Sequence, residues 1–201
     1  MRKSIIVFVA VVLVAMLGTS ILAIQRADSS SKLPAISAAV RDTGQQSLSR
    51  GLDYLRKTQK DDGSWQGHEG ITGLSTIGTL QQPGGWTRDA QRVEKALKFL
   101  ASRQKEDGSV WSVDNPPVNT GLAITAFKYS GKKEYEPHVK KGQAFLVQAQ
   151  FDEGEGVKPS DHGYGGVGYN AETRADLKNL HHVMEAMKAT LPENFSVSPP
   201  R

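Results

Sequence analysis

The stretch Gly51-Leu-Asp-Tyr-Leu-Arg-Lys-Thr-Gln-Lys-Asp-Asp-Gly-Ser-Trp65 decides the fold of this 201-residue chain, because two further copies of it follow. The second copy is Ala96-Leu-Lys-Phe-Leu-Ala-Ser-Arg-Gln-Lys-Glu-Asp-Gly-Ser-Val-Trp111, and the third is Gly142-Gln-Ala-Phe-Leu-Val-Gln-Ala-Gln-Phe-Asp-Glu-Gly154. A fixed period of this length is the signature of a repeat protein. Three landmarks recur at spacings of 45 and then 46 residues: Leu55, Leu100 and Leu146; Gln59, Gln104 and Gln150; Gly63, Gly108 and Gly154.

The first half of each copy has the pattern of an amphipathic helix. In the second copy, Val93, Leu97 and Leu100 recur at the spacing that places apolar side chains on one helical face. Basic residues such as Arg56 gather where the helix should end, near the negative end of its dipole. In the first two copies an Asp-Gly pair follows, as in Asp62-Gly63, and glycine accepts the positive φ that a turn requires. We therefore expect each copy to begin with an outer helix that ends in a turn.

The second half of each copy is more uniformly apolar and is rich in small residues. Residues 71–80 and 121–129 carry glycine and alanine among larger apolar side chains, and the third such segment is 177–189. A helix that is apolar on most sides is buried on most sides. No stretch alternates convincingly between apolar and polar residues at period two. The sequence therefore predicts an all-α fold, a curved array of three helical hairpins, each with an outer and an inner helix.

The turn residues resemble the QW motif of the prenyltransferase and squalene-oxidase repeat family, which includes terpenoid cyclases. The resemblance covers residues 46–190 and implies an α/α toroid-like array in which each motif ties neighbouring outer helices together. It gives these residues a structural role, with the glutamines capping outer helices and the tryptophans packed nearby. The third copy departs from the motif, since it has no tryptophan. The motif residues are Gln59, Gly63, Trp65, Gln104, Gly108, Trp111, Gln150 and Gly154.

The number of copies bears on assembly. By the resemblance, toroids of this family close with about six hairpins, and stacked hairpins bury their faces against their neighbours. Three hairpins therefore make a partial toroid with apolar surface at its ends. We expect either a half-toroid that associates with a second copy or a truncated member of a longer family.

The chemistry of the family's known enzymes is not visible in the sequence. The D-x-D-D run with which hopene-type cyclases protonate an alkene is absent, and the prenyltransferase zinc site needs a cysteine, which the chain does not have. Four residues are candidates for a catalytic or metal-binding cluster if the glycine loop after residue 162 folds over the concave face: Asp161, His162, Asp176 and His181. The alternative makes Asp176 a carboxylate at a helix start and leaves the histidines solvated or in the core. We expect no cofactor and no bound metal.

The N-terminus predicts export. Arg2 and Lys3 precede the apolar run Ile5–Leu17, which is the pattern of a Sec-type signal. Extended to Ser20, the run is also long enough to span a bilayer, so a cleaved signal and a retained anchor both remain open. We assign residues 1–24 to a signal peptide or transmembrane anchor, 25–45 to a flexible tether, 46–190 to the repeats and 191–201 to a tail. The protein is expected outside the cytoplasm, as a periplasmic, secreted or membrane-anchored protein.

Two functions remain open after these exclusions. A net charge of +4 without a run of basic residues among aromatics argues against nucleic-acid binding. The first function is a non-catalytic binding or scaffold module whose apolar concave face holds a protein partner or an apolar ligand. The second is a diverged terpenoid-cyclase-like or polysaccharide-acting enzyme. The aliphatic inner helices favour binding. Expected partners are an apolar ligand, a second copy or another protein, and the membrane if the N-terminal segment is retained.

Overall fold

The computed structural model describes residues 37–170 and 174–192. Among these residues there are six α-helices and no extended strands, so the predicted all-α fold of three helical hairpins is confirmed. The predicted signal or anchor segment, residues 1–24, lies outside the described residues. Within the described part of the chain, no helix is both long and apolar enough to cross a membrane. The helices are α1 (Ala38–Thr58), α2 (Glu69–Leu80), α3 (Ala90–Ser102), α4 (Pro116–Tyr129), α5 (Glu136–Gln148) and α6 (Leu177–Thr190).

Helix α1 begins inside the stretch that composition predicts to be a tether. Its first residue is Ala38, whereas the tether was expected to continue to residue 45. The chain divides into two compact units between Leu48 and Ser49. In the first unit, the described residues 37–48 are exposed and are helical from Ala38 onward. The packing described below belongs to the second unit.

Helices α1, α3 and α5 are the outer helices, and α2, α4 and α6 are the inner helices of successive hairpins. Helix α4 is the most central, because it contacts α2 and α6 as well as the outer helices α3 and α5. This position explains the apolar and small residues on most sides of α4. Ala123, Ile124 and Phe127 are fully or almost fully buried there.

The outer helices α3 and α5 contribute one apolar face each to the core. Val93, Leu97 and Leu100 of α3 are buried, as their spacing predicted, and Val139 and Leu146 do the same in α5. Burial of each such side chain contributes about 1.5–3 kcal/mol to folding. The core therefore lies between the outer helices and α4.

Helix α1 has the same apolar positions, but they are less buried than those of α3. The 45-residue period relates Tyr54 to Phe99 and Leu55 to Leu100. Phe99 is 5% exposed, whereas Tyr54 is 63% exposed. Helix α1 contains no buried residue. The repeated apolar pattern is thus buried in α3, which follows another hairpin. In α1, which follows none among the described residues, Leu52 and Leu55 are half-buried and Tyr54 is exposed.

Candidate functional site

Two glutamine side chains join consecutive hairpins in the same way. Gln59 Nε2 donates to the carbonyl oxygen of Gly63 in its own turn and to the carbonyl oxygen of Arg92 in α3, both at 2.9 Å. Gln104 Nε2 makes both bonds one repeat later, at 3.0 Å, to its own turn and to α5. Each amide therefore closes a turn and fixes the following outer helix against it. We call residues 59–64 and 104–109 the Gln–Gly turns.

The glycines of these turns lie directly against the next outer helix. Gly63 and Gly108 have φ angles of +88° and +89°. A Cβ atom on Gly63 would lie 2.3 Å from the carbonyl oxygen of Lys95, and one on Gly108 would lie 2.2 Å from that of Lys141. Both the positive φ and the close approach require glycine at these positions.

Two aspartates stabilise the same turns from within. Asp62 and Asp107 each accept hydrogen bonds from the N–H and the hydroxyl of the serine two residues later, Ser64 or Ser109. The Ser64 hydroxyl is the main reason why the pKa of Asp62 lies below its usual range. Burial alone would raise the pKa of Asp107, but the bonds from Ser109 and the charge of Lys105 lower it. Both carboxylates therefore remain ionised and serve the turns.

The third turn closes later in the sequence than the repeat predicts. Gln150 Nε2 donates to the carbonyl oxygen of Gly165 at 2.8 Å, and Gly165 has the positive φ of a turn glycine, +74°. Gly154, which the 46-residue spacing places here, instead lies in a short 3-10 segment. The chain returns to the turn where Phe151 N–H donates to the Gly166 carbonyl at 2.8 Å. The intervening residues are an insertion of 11, the offset from Gly154 to Gly165.

Trp65 and Trp111 do not occupy equivalent positions, although the motif predicts that they pack alike. Trp65 is buried after its turn, and its Nε1–H donates to the carbonyl oxygen of Leu55 at 3.0 Å. In the second repeat Val110 takes this buried position, because one extra residue separates the turn glycine from the tryptophan. Trp111 is half-buried, and the ammonium nitrogen of Lys105 lies 3.4 Å from the centre of its ring. This contact is a cation–π interaction.

The displaced Trp111 forms part of the wall of an open cavity of about 300 Å³ between the second and third hairpins. Phe145 comes from α5, and Phe151 from the start of the third turn. Small-molecule sites are concave, mostly apolar and equipped with a few polar groups, and this cavity lies at the lower end of their size range. We call it the aromatic cavity; its apolar lining includes Trp111, Pro116, Pro117, Phe145 and Phe151, with Asp107 and Glu155 among its polar residues.

A second group of polar side chains links the starts of the inner helices. His68 Nδ1 accepts the N–H of Gly70 at 3.1 Å and so caps α2, while its Nε2 lies 3.2 Å from Asp114 Oδ1. The next residue, Asn115, has a φ of +44° and donates to Oδ1 of the buried Asn179 in α6 at 3.2 Å. The loop before α4 therefore connects the start of α2 to the start of α6.

Glu69 is a buried carboxylate that sequence reasoning missed. Glu69 is the first residue of α2 and is 0% exposed. Ser112 Oγ donates to its Oε2 at 3.1 Å, while Oε1 has no hydrogen-bond partner and lies 3.7 Å from Arg103 Nε. An acidic residue in a first helical turn is common, because it interacts favourably with the helix dipole. For this reason the sequence pattern alone carried no signal that Glu69 is buried.

The structure gives the four catalytic candidates from the sequence no shared role. Asp176 caps α6 by accepting the N–H of Asn179 at 2.9 Å, so it is a carboxylate at a helix start, as the alternative interpretation of the sequence predicts. Asp161 accepts a backbone N–H of its own exposed turn, and His162 and His181 are exposed. Among the described residues, no hydrogen bond or ion pair joins two of the four. The described residues also hold no group of three or more His, Asp or Glu placed to bind a metal ion.

The solvent-facing sides of the inner helices differ in polarity. On α2, Leu74 is exposed, and on α4 a stripe of Val118, Leu122 and Tyr129 is exposed or half-exposed. The corresponding side of α6 is mixed, so the apolar surface is concentrated on α2 and α4. The exposed residues of α6 are Leu177, Lys178, His181, Met184, Glu185 and Lys188.

The comparisons with known proteins agree with this architecture. The family model described as the squalene–hopene cyclase C-terminal domain matches residues 19–115. Squalene–hopene cyclase of Bradyrhizobium diazoefficiens is 30% identical over 122 residues, 52% of this chain and 18% of that protein. The helical fold and these matches make the chain similar to terpenoid cyclases over about half of its length. The probable squalene–hopene cyclase of Sinorhizobium fredii is 26% identical over 125 residues, 53% of this chain and 19% of that protein.

The chain is also similar to lanosterol synthase of Homo sapiens, which is 33% identical over 84 residues, 38% of this chain and 11% of that protein. The chain thus spans about a fifth of the length, or less, of the curated relatives it matches. The family model includes both Gln–Gly turns and Trp111, while α4, α5 and α6 lie beyond its last matched residue. The third turn and most of the aromatic cavity are therefore features of this chain outside the family match.

Proposed function

We propose that this terpenoid-cyclase-like domain is a non-catalytic module that binds one end of a linear isoprenoid chain in the aromatic cavity. The observation that carries the proposal is the open apolar space bounded by Trp111, Phe145 and Phe151. Exposed aromatic walls are costly to hydrate, and an apolar ligand that covers them recovers about 25 cal/mol for each Å² removed from water. The relatives named squalene–hopene cyclase suggest the ligand class, and squalene is the simplest candidate.

The carboxylates of the cavity favour binding over catalysis. Asp107 accepts two hydrogen bonds from Ser109 within its own turn. Glu155 Oε2 accepts the N–H of Asp152 and so holds the 3-10 segment of the insertion. A general acid needs a proton to give, whereas the bonds from Ser109 favour the ionised form of Asp107. The cavity therefore offers shape and apolar contact, with no described group poised for proton transfer to an alkene.

The experiment measures squalene bound to the purified full chain by mass spectrometry after exposure to squalene-loaded vesicles. Ala149 belongs to the cavity lining, so Ala149→Trp should fill the space and reduce bound squalene at least about tenfold. Val113→Trp is the matched control, because Val113 is 77% exposed and is not part of the lining. Equal squalene on the parent and on Ala149→Trp would overturn the proposal, as would no squalene on the parent.

Glu69 favours a second candidate, a diverged enzyme of the same fold. It is a buried carboxylate with one unbonded oxygen, and such groups are concentrated at active sites. On this alternative, the full chain would convert squalene into a product of altered chromatographic mobility, and Glu69→Gln would abolish the conversion while the chain stayed folded. Unchanged squalene after incubation with the parent would reject the enzyme and leave the binding proposal intact.

Export belongs to the same proposal. The apolar run Ile5–Leu17 after Arg2 and Lys3 has the pattern of a signal or an anchor. A fusion of the full chain to a reporter active only outside the cytoplasm should be active, and replacing Leu13 and Leu17 with Arg should silence it. A reporter that stays inactive on the parent fusion would contradict export.

A further inference from the structure

Within residues 37–170 and 174–192, the third hairpin ends in a surface that repeats the interface between hairpins but has no helix packed on it. In the Gln–Gly turns, the glutamine Nε2 donates two bonds, one to its own turn and one to the following outer helix. Within the described residues, Gln150 Nε2 makes only the bond to Gly165 in its own turn. A Cβ atom on Gly165 would meet no backbone within 4 Å, only the Gln150 amide nitrogen at 3.7 Å. One donor and one bare Cα are therefore available to a further outer helix.

Val147 belongs to the same surface. The repeat relates Val147 through Ala101 to Arg56. Arg56 faces the following hairpin, because its guanidinium donates to both carboxylate oxygens of Asp89 at the start of the second hairpin. Val147 is 58% exposed, although it is apolar and holds this same position. We call Gln150, Gly165 and Val147 the trailing edge.

The opposite surface lies on α1, which no hairpin precedes among the described residues. Tyr54 lies two residues before Arg56, so the two side chains project to nearly opposite sides of α1. Its equivalents face the preceding hairpin: Phe99 lies under Arg103, which contacts Glu69 of α2, and Phe145 lines the aromatic cavity with Trp111. The exposed ring of Tyr54 therefore marks a leading edge built to pack against the hairpin before it.

The trailing and leading edges carry opposite charges at matching positions. The interface between the first and second hairpins shows which positions match. Asp61 and Lys95 line one cleft between the first turn and α3. The repeat places Glu106 and Lys141 at these positions in the next interface, and Asp152 at the third turn. One repeat before Lys95, the chain carries Arg50 in α1. An acidic turn residue and a basic helix residue thus recur, and the third pair is completed by Asp152 and Arg50 of different molecules.

We propose that the trailing edge of one molecule binds the leading edge of a second copy of this chain, head to tail. The carbonyl oxygen of Arg50 of the second copy takes the place of Lys95 against the turn glycine, and Tyr54 of the second copy is buried as Phe99 is. Such a contact joins two different surfaces, so it closes into a ring or extends into a filament. The proposal is independent of the ligand in the aromatic cavity.

The test is sedimentation velocity on the full chain across a range of concentrations. The parent should associate, and Val147→Glu and Tyr54→Glu should each raise the dissociation constant at least about tenfold, because each places a charge in an apolar contact. Both side chains are exposed in the single molecule, so circular dichroism should show unchanged folding. Val113→Glu changes a valine that is also exposed but lies outside both edges, and this variant should associate like the parent.

Mixing the two variants gives the decisive result. Val147→Glu keeps an intact leading edge and Tyr54→Glu keeps an intact trailing edge, so an equimolar mixture should form a one-to-one dimer that neither forms alone. A mixture that stays monomeric would overturn the head-to-tail contact, as would variants that associate like the parent. A parent that remains monomeric at every concentration would also overturn it and would leave squalene binding unaffected.

Discussion

Arg56 and Asp89 form a bidentate ion pair that joins the first hairpin to the second. Arg56 Nε and Nη2 donate to Asp89 Oδ1 and Oδ2, both at 2.9 Å, and Gln82 Nε2 donates to Asp89 Oδ2 at 3.0 Å. Asp89 is 2% exposed. Desolvation of a buried carboxylate is costly, and removal of one partner from a buried ion pair is strongly destabilising.

This pair predicts a loss of stability in acid. The hydrogen bonds from Arg56 are the main reason why the pKa of Asp89 falls to about 2, against an ordinary value of 3.8. A carboxyl group with a lowered folded-state pKa stabilises the fold above its unfolded pKa and loses that contribution as the pH falls through the folded pKa. The free energy of unfolding should therefore decrease by about 2 kcal/mol between roughly pH 4.5 and pH 2 on account of Asp89.

Chemical denaturation at several pH values measures this contribution. Asp89→Asn should be less stable than the parent at pH 7 and should show a shallower decrease between pH 4.5 and pH 2. Asp53→Asn is the control, because Asp53 also accepts from Arg56, at 2.7 Å, but is exposed. Identical pH profiles for Asp89→Asn and the parent would show that the pair does not carry this stability.

The turn glycines give a graded prediction. Alanine at Gly63 or Gly108 must accept a positive φ and a clash with the carbonyl of the next outer helix, whereas alanine at Gly165 meets only the positive φ. The left-handed conformation costs alanine about 1–2 kcal/mol. Gly165→Ala should therefore lower the free energy of unfolding by about this amount, and Gly63→Ala and Gly108→Ala by about 1–3 kcal/mol more. Equal losses at all three positions in thermal or urea unfolding would argue against the clash.

The fold could be predicted from the sequence because the repeat and the helical spacing report the same three hairpins. The buried stripe Val93, Leu97 and Leu100 followed from periodicity alone. Periodicity could not locate the third turn, since Gly154 keeps the 46-residue spacing while the insertion moves the turn to Gly165. An insertion becomes visible only when the hydrogen bond from Gln150 shows which glycine closes the turn.

The aromatic cavity was not predictable for a similar reason. The motif treats Trp65 and Trp111 alike, yet one inserted residue gives the buried position to Val110 and turns Trp111 toward the cavity. The burial of Glu69 depends on Ser112 and Arg103, which are distant in sequence. Spacing within one helix reports which side is apolar, but it does not report which loop from another hairpin covers a given residue.

The two tryptophans should therefore respond differently to truncation. Trp65→Ala removes a buried ring and should cost about 3–5 kcal/mol in urea unfolding. Trp111→Ala removes a half-buried ring and the contact with Lys105, which is worth about 0.5–1 kcal/mol at an exposed site, so its cost should be clearly smaller. Lys105→Met removes the cation and leaves the ring of Trp111 in place. A loss for Trp111→Ala as large as that for Trp65→Ala would contradict the different placement of the two rings.

Two threonines one helical turn apart on α2 make different hydrogen bonds. The bond of one anchors the first Gln–Gly turn, and the bond of the other stays within the helix. Thr72 Oγ1 accepts the buried N–H of Trp65 at 3.0 Å, whereas Thr76 Oγ1 donates to a carbonyl of its own helix at 2.7 Å. Both residues are fully buried, so valine has nearly the same shape and environment at each. Thr72→Val leaves the N–H of Trp65 without a partner and should cost about 1–3 kcal/mol. Thr76→Val leaves a carbonyl that already accepts within the helix and should cost less than about 1 kcal/mol. Urea unfolding of the two variants gives the comparison directly, and equal losses would mean that Thr72 does not anchor the first turn.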